Sequence, residues 1–487
     1  VNGNLKTAPP YRNPLKIVKT NRLKLQRRPR PQALFLRTAG FPRGIKLSLI
    51  FLKSFCMMSS RKKKSLERES LRLSGKTLIL GYDAVSSLGT DLEIQWRRAA
   101  AGESGIGPLT RFPYGDDFPV RVAGEVEDVD VRPYPFLQPR EMAHWTSPIF
   151  KYALLVVHRA LAKSGIDITP DVAPRVAVTF SSAVGGQDAV LKADRQMIAE
   201  NKLPHPFANP NSCINMVGGK VSILTGATGP ICATITACAT GVTSMIIGGM
   251  MIQQNLADVV IAGAVDFPLV EPILAGFATM NGAYRPKEGR PHEAPEKVSR
   301  PFSANRRGFV VSEGAGAVIL ASPDFARAHG LAARIEIAGF GMTSDAGHFV
   351  APNPATVERC IAVAIADAGL TSAEVDAVNA HATSTRIGDK VEADALTQIF
   401  GAKAPPTSAN KSQLGHAMGA SSAIETILAI EGMLRDTVLP TVNYEPDPAI
   451  HLDCVPGTAR KLCQEFVLKN AFGFGGCNSC LLLRRIA

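Results

Sequence analysis

The segment Ile231-Cys232-Ala233-Thr234-Ile235-Thr236-Ala237-Cys238-Ala239-Thr240-Gly241 constrains this chain more than any other. Its apolar, β-branched start reads as a buried strand over Cys232–Thr236 that stops at a cysteine. Ala-Thr-Gly then opens a run, Val242 to Ile252, that is apolar enough for a buried helix. A nucleophile on such a strand-to-helix turn is held clear of the backbone at the positive end of the helix. A free thiol of pKa about 8.5 is only a few per cent thiolate at neutral pH, and a drop of about 1.5 units makes it half. That drop corresponds to about 2 kcal/mol, near the upper limit of what a helix terminus supplies. The expectation is therefore a thiol of depressed pKa at Cys238. On this segment alone, a small buried cysteine packed as a hydrophobe is an equal reading.

Beyond residue 75 the chain alternates short β-branched runs with longer helical patterns, which argues an α/β fold with a largely parallel sheet. Further strands are expected at Thr77–Gly81, Val176–Thr179, Val259–Ala264, Ala317–Leu320, Ala377–Asn379 and Cys480–Leu483. Helices are expected at Pro148–Ser164, Gly241–Gln254, Thr356–Ala368, Asp389–Phe400 and Ser422–Leu434. Tyr284–Lys297 reads as a polar loop with three prolines. No clean internal repeat is visible. At 487 residues and 46% hydrophobic, the chain is long enough for one large core or two fused ones.

The net charge of +12 belongs to one end. Residues 1–75 hold 19 Lys and Arg against two acids, a net of +17, which leaves 35 bases and 40 acids beyond, a net of −5. The body therefore gives no support to nucleic-acid binding. The tail, with no acid before Glu67 and little periodicity, is expected to be disordered. It fits a basic arm for nucleic acid or anionic lipid, an Arg-rich organellar transit segment, or translated upstream sequence with initiation at Met57 or Met58, the favoured reading. The apolar patch Leu47 to Leu52 is too short to span a bilayer. Nine cysteines at irregular spacing argue against a disulfide framework and for a reducing compartment, the cytoplasm, or an organelle if the tail is a transit segment. Cys477 and Cys480 form a C-x-x-C with no second pair nearby, so no metal site is expected there.

Two further clusters bear on Cys238. In Val378-Asn379-Ala380-His381-Ala382-Thr383-Ser384-Thr385-Arg386-Ile387-Gly388-Asp389, an apolar run delivers His381 at its end. In Ser408 to Ala420, Lys411 and His416 sit in a polar, glycine-containing approach to an apolar helix. With Asn470-Ala471-Phe472-Gly473-Phe474-Gly475-Gly476-Cys477-Asn478, Arg300-Pro301-Phe302, Gly308 to Gly316 and Ser344 to His348, these clusters form an ordered set. The chain resembles the elongating β-ketoacyl-ACP synthases, types I and II, of the thiolase-like superfamily, over essentially all of 76–487. One cysteine with two histidines is similar to the elongating branch. Thiolases pair their nucleophile with a histidine and a second cysteine, and initiating synthases use histidine and asparagine.

The resemblance implies two similar α/β halves, 76–330 with the nucleophile and 331–487 with His, Lys, His and a gating Phe, forming a five-layered αβαβα core after the basic tail. It implies a decarboxylating Claisen condensation in fatty acid or related polyketide synthesis. An acyl chain is loaded on Cys238, and malonyl-ACP loses CO2 to give the enolate that attacks it. Backbone N–H groups of Cys238 and Phe474 would hold the first oxyanion, and neutral His381 and His416 the second. Lys411 would support His381 and the charge balance of the site. Phe474, with Phe472, Gly473 and Gly475 around it, would gate the acyl tunnel, and Asp345 and His348 would form its second loop. Thr383 and Thr385 would bind the phosphopantetheine arm, which arrives on acyl carrier protein, so no resident cofactor is implied. Asn379, Glu425 and Asn478 match a buried site that in some relatives holds a monovalent cation. A homodimer is implied, and Arg140 is a candidate for the carrier-docking patch.

This sequence departs from the family pattern at Ala382, Arg386, Ser303, Arg307, the long Tyr284–Lys297 loop and Ser421-Ser422. The departures fall on acyl preference and carrier docking and fit a specialised pathway as well as housekeeping synthesis. The alternatives are a non-extending partner subunit (a chain-length factor), against which Cys238 and both histidines speak, and an acyl-thioester hydrolase, which leaves Lys411 and Phe474 without a use.

Overall fold

The computed structural model describes residues 76–286 and 293–486. The tail and the middle of the Tyr284–Lys297 loop, with what is expected of them, lie outside the described residues. In the first half, strand β1 (Thr77–Ser86) is followed by helix α1 (Pro148–Ser164), β2 (Val176–Val178), α2 (Asn215–Thr225), α3 (Thr240–Gln253), β3 (Val259–Asp266) and β4 (Gly314–Ala321). The second half runs β5 (Ile335–Ser344), α4 (Pro354–Asp367), β6 (Ala377–Asn379), α5 (Arg386–Phe400), β7 (Thr407–Ser408), α6 (Met418–Leu434), β8 (Phe466–Gly473) and β9 (Cys477–Arg485).

The helix ends follow local chemistry. Pro148 occupies the first turn of α1, where its missing N–H costs nothing, and Gly165 closes the helix at φ 71°. Both ends coincide with the expected ones. Helices α3 and α6 are apolar on nearly every side, which marks helices buried between layers.

The strands form one sheet in the order β2-β3-β4-β1-β5-β9-β8-β6-β7. This sheet is mixed: among the described residues five of its eight pairings are antiparallel, against the expected parallel majority. The reason is that the first and last strands of each half lie side by side in opposite directions, β1 on β4 and β5 on β9. A repeat hidden in the sequence emerges from this. From β1 outward, β4 and β3 add antiparallel and β2 parallel. From β5 outward, β9 and β8 add antiparallel, then β6 and β7 parallel. The halves join where Thr77, Leu78 and Ile79 pair with Ile337, Glu336 and Ile335.

Helix α1 covers the outer face of β1 and β4, and α4 that of β5 and β9, while α3 and α6 pack together between the two halves. The result is the five-layered αβαβα arrangement, with the two sheet halves continuous through β1 and β5. Its apolar layers are centred on Phe150, Leu154 and Ile261, on Ile246, Ile427 and Leu481, and on Ile361, Leu468 and Leu482.

One expected strand is absent. Residues 232–236 carry no regular structure; Ile231 bridges Val178, and Cys232 donates its N–H to the Val178 carbonyl at 2.9 Å. Among the described residues no strand pairs with their outer side, and Ile231 and Ile235 are 46% and 50% exposed. Among the described residues no helix is long and apolar enough to cross a membrane.

Each half seats its outer helix against glycine. A Cβ on Gly81 would come within 2.2 Å of the Ala160 carbonyl oxygen, and one on Gly341 within 2.1 Å of the Cys360 carbonyl oxygen. Neither neighbour is a flexible side-chain tip, so strand and helix must part. Gly81→Ala and Gly341→Ala are each expected to destabilise the fold by about 1–3 kcal/mol, read from chemical unfolding midpoints at unchanged slope.

Candidate active site

Cys238 sits in a single 3-10 turn, Ala237–Ala239, that leads directly into α3. Ala237 is held at φ 47°, a left-handed conformation that disfavours a Cβ. The Thr240 hydroxyl fastens this elbow, donating to the Ala237 carbonyl at 2.7 Å and accepting from Thr236 N–H at 3.0 Å. Gly473 completes it from the β8 side, where a Cβ would lie 2.3 Å from the Thr236 carbonyl oxygen.

His416 reaches the cysteine from the entry to α6, its Nε2 3.0 Å from Cys238 Sγ. Its Nδ1 is 3.0 Å from Ser421 Oγ, which also accepts the Ala417 N–H at 2.7 Å. His381 follows β6, and its ring meets that of His416 edge to face at 5.8 Å and that of Phe472 at 5.7 Å. The Glu392 carboxylate pins the His381 backbone by accepting its N–H at 2.9 Å and that of Ala382 at 2.7 Å. The His381 Nδ1 is buried with no partner among the described residues. Lys411, wholly buried in the turn Lys411–Leu414, donates to the His381 carbonyl at 2.7 Å and to Glu425 Oε1 at 2.6 Å.

Electrostatics corrects the expected depressed thiol. Burial pushes the Cys238 pKa up to about 11, outweighing Lys411 and the N–H groups of Phe474 and Cys238, which favour the thiolate. The helix terminus is present, but desolvation is larger. Burial, reinforced by Lys411, also holds both histidines well below their ordinary range, so each is neutral. A thiol beside a neutral imidazole can pass its proton across 3.0 Å as it attacks.

A cavity of about 680 Å³ connects these groups and is mostly apolar, with Phe277, Met280, Phe309, Val350 and Val357 in its wall. That volume is in the range of small-molecule sites. Cys238, His381, His416, Phe472, Gly473, Phe474, Thr383, Thr385, Asp345, His348 and Asn478 all line it. The Thr383 and Thr385 hydroxyls are 3.0 Å apart, and buried Asp389 holds their turn by accepting both backbone N–H groups. Half-buried Phe474 stands in the turn between β8 and β9, where Gly475 and Gly476 adopt φ 84° and 73°. This turn and the 345–349 loop are hydrogen-bonded to each other: Asp345 N–H donates to Gly476 O at 3.0 Å, and Gly475 N–H to Phe349 O at 2.7 Å. Exposed His348 accepts from Val350 and Ala351 N–H within its own loop. Arg307, at the cavity wall, pairs with Glu293 and lies over the Tyr284 ring. Exposed Arg140 does not line the cavity.

Of the three residues matched to a cation site, Asn478 lines the cavity while Glu425 and Asn379 do not. Glu425 lies under Lys411, Asn379 donates to Asn410 Oδ1 at 2.6 Å, and Asn478 donates to Asp345 Oδ1 at 2.6 Å. Ser421 was visible only as a departure, although it is the partner of His416 Nδ1. Lys469 was missed; its signal is a lone charge inside the apolar run Val467-Leu468-Lys469-Asn470-Ala471. Cys477 and Cys480 lie three apart on β9 and so face opposite sides. Among the described residues no group of three or more His, Cys, Asp or Glu side chains is placed to hold a metal ion.

Comparison with known proteins gives a consistent picture. Residues 76–326 match the family described as beta-ketoacyl synthase, N-terminal domain, and residues 334–445 its C-terminal domain. The 3-oxoacyl-[acyl-carrier-protein] synthase 2 of Coxiella burnetii is 36% identical over 417 residues, 84% of this chain and 99% of that protein. The enzyme of the same name from Vibrio harveyi is 33% identical over 419 residues, covering 85% and 99%. Among solved structures, a beta-ketoacyl synthase from Burkholderia phymatum superposes with a TM-score of 0.78 at 29% identity, covering 85% of this chain and all of that one. The ishigamide ketosynthase/chain length factor gives 0.77 at 29%, covering 85% and 99%.

The raised thiol pKa has a definite sign. An exposed thiol ionises near pH 8.5, whereas Cys238 stays protonated until about pH 11. The rate of Cys238 carbamidomethylation, followed by peptide mass, is therefore expected to keep climbing from pH 8 to 10.5. A plateau below pH 8 would mean that the helix terminus prevails after all.

Proposed function

The chain belongs to the β-ketoacyl synthase family and is a condensing acyltransferase, and we propose that it extends carrier-bound acyl chains with Cys238 as nucleophile. The observation that carries the site assignment is that the thiol and two neutral histidines line one apolar cavity, with buried Lys411 holding the His381 carbonyl behind them.

In the loading half, Cys238 sulfur attacks the acyl thioester carbonyl while its proton passes to His416 Nε2. The oxyanion forms between the Cys238 and Phe474 N–H groups, and losing one such donor costs about 3–4 kcal/mol. Collapse expels the pantetheine thiolate, which takes the proton back from His416. In the condensing half, the carboxylate C–C bond of malonyl-ACP breaks, CO2 leaves, and the electron pair becomes an enolate held by N–H groups of His381 and His416. The enolate carbon then attacks the acyl carbonyl on Cys238, the C–S bond breaks to give 3-oxoacyl-ACP, and the expelled Cys238 thiolate takes up one proton from water.

His416 thus accepts a proton at Nε2 in the first half and presents N–H there in the second. A hydroxyl at Nδ1 permits both, because Ser421 Oγ can accept from one tautomer and donate to the other. Thr383 and Thr385 suit the phosphopantetheine arm, and the hydrogen-bonded loops of Phe474 and Asp345 suit a gate that opens as one. The acyl carrier protein is the partner this chemistry requires. The open edge at 231–236, with exposed Ile231 and Ile235, supports pairing of two copies there as a homodimer.

Intact-mass analysis after incubation with acyl-ACP and malonyl-ACP tests the core of this reading. Wild type is expected to carry an acyl adduct and yield 3-oxoacyl-ACP, and Cys238→Ala neither. His381→Ala should still load acyl but lose condensation by at least about 100-fold. Free acid as the main wild-type product would favour a hydrolase. Ser421→Ala is expected to slow loading and condensation unequally, by about tenfold in the more affected half, read in single-turnover assays of each.

A further inference from the structure

Lys469 is a wholly buried ammonium with no part in the chemistry above. It projects from β8 beside Asn379 of β6 and donates to Glu425 Oε2 at 2.7 Å, to the Asn470 carbonyl at 2.8 Å and to the Ala380 carbonyl at 3.5 Å. Glu425 gives its other oxygen to Lys411 at 2.6 Å, and Lys411 holds the His381 carbonyl. One carboxylate therefore bridges two buried ammonium groups beneath the active site.

The resemblance places a monovalent cation in some relatives at residues matching Asn379, Glu425 and Asn478. Here those residues fit it poorly. Both oxygens of Glu425, the only carboxylate of the three, are engaged by lysines. In the buried group Lys411 and Lys469 are balanced by Glu425 and Glu392, the latter held by Asn470 Nδ2 at 3.0 Å. A further cation would leave an uncompensated charge in a site without water contact, which is strongly unfavourable. Asn379 Oδ1 and Asn478 Oδ1, which have no partner among the described residues, are the feature that would suit an ion. The Lys469 Nζ itself sees an oxygen-only set, a carboxylate and two main-chain carbonyls, the donor chemistry that hard cations take.

We infer that the Lys469 ammonium stands in for a bound monovalent cation, so that this chain holds Lys411 and His381 in place without an alkali-metal ion. Lys469 is then a positioning residue acting through Glu425 and Lys411, and the inference rests on the role proposed above for His381. Burial draws its pKa down and Glu425 opposes that shift.

The test compares wild type and Lys469→Ala in tetramethylammonium chloride and in potassium chloride at equal ionic strength. Melting temperature, acyl loading of Cys238 and malonyl-ACP decarboxylation are measured in each. Wild type should give the same three values in both salts. Lys469→Ala should load acyl within threefold of wild type, lose decarboxylation at least tenfold in tetramethylammonium, and regain most of it, with a higher melting temperature, as potassium saturates the vacated position. A saturable potassium effect on wild type overturns the inference. So does a variant as active as wild type in tetramethylammonium, or one whose loss potassium leaves untouched. If the variant fails to fold in either salt, the wild-type comparison decides. Failure of wild type to condense would count against the proposed function, whereas its melting behaviour still judges the cation question.

Discussion

The close approach of α3 and α6 is the constraint on which the site depends. A Cβ on Gly241 would lie 2.6 Å from Ala423 N, and one on Gly419 would lie 2.8 Å from Thr240 Cβ. The helices begin side by side because both starts are nearly bare of side chains. Polar groups then lock them: Ser422 Oγ accepts Val242 N–H at 3.2 Å, and buried Asp266 at the end of β3 accepts Ala420 N–H at 3.1 Å. Asp266 also takes Ala183 and Val184 N–H and the Ser182 hydroxyl, while burial raises its pKa to about 6. Cys238 stands just before α3 and His416 just before α6, so bringing the two starts together sets the 3.0 Å contact between them.

Burial sets the character of that contact. In an exposed site a helix terminus and a nearby lysine would yield a thiolate. Here desolvation disfavours every charge, and thiol and imidazole meet as neutral partners. The charges that do persist are concentrated one layer below, where Glu425 bridges Lys411 and Lys469. Thiol and imidazoles thus stay neutral, and the fixed charges beneath them orient the His381 backbone.

Much of this is legible in the sequence. Helix α1 was readable to the residue because Pro148 and Gly165 punctuate it, and buried β3 and β4 announce themselves as β-branched runs. His381 and His416 were marked by glycine and hydroxyl neighbours, Cys238 by its Thr-Ala-Cys turn, Lys411 by its place five residues before His416, and Phe474 by the glycines around it. The expected strand at 232–236 failed for a non-local reason: its composition is that of a strand, but a strand also needs a ladder of partners, and here only Ile231 and Cys232 reach Val178. The parallel-sheet expectation failed similarly, because pairing direction follows from which chain ends meet. The repeat of β1 to β4 in β5 to β9 escaped notice since it conserves topology, and the lengths and compositions of the equivalent segments differ.

By itself the sequence determined the buried α/β class, the family, and the side chains able to do the chemistry, because residue type and local spacing carry that information. Tertiary structure decided which groups touch and what state they adopt. Ser421 became the partner of His416, the thiol pKa rose when it was expected to fall, and Lys469 arrived opposite Glu425 from a strand 44 residues further on. Distances across layers and the loss of water around a group are properties of the packed chain, and no window of sequence contains them.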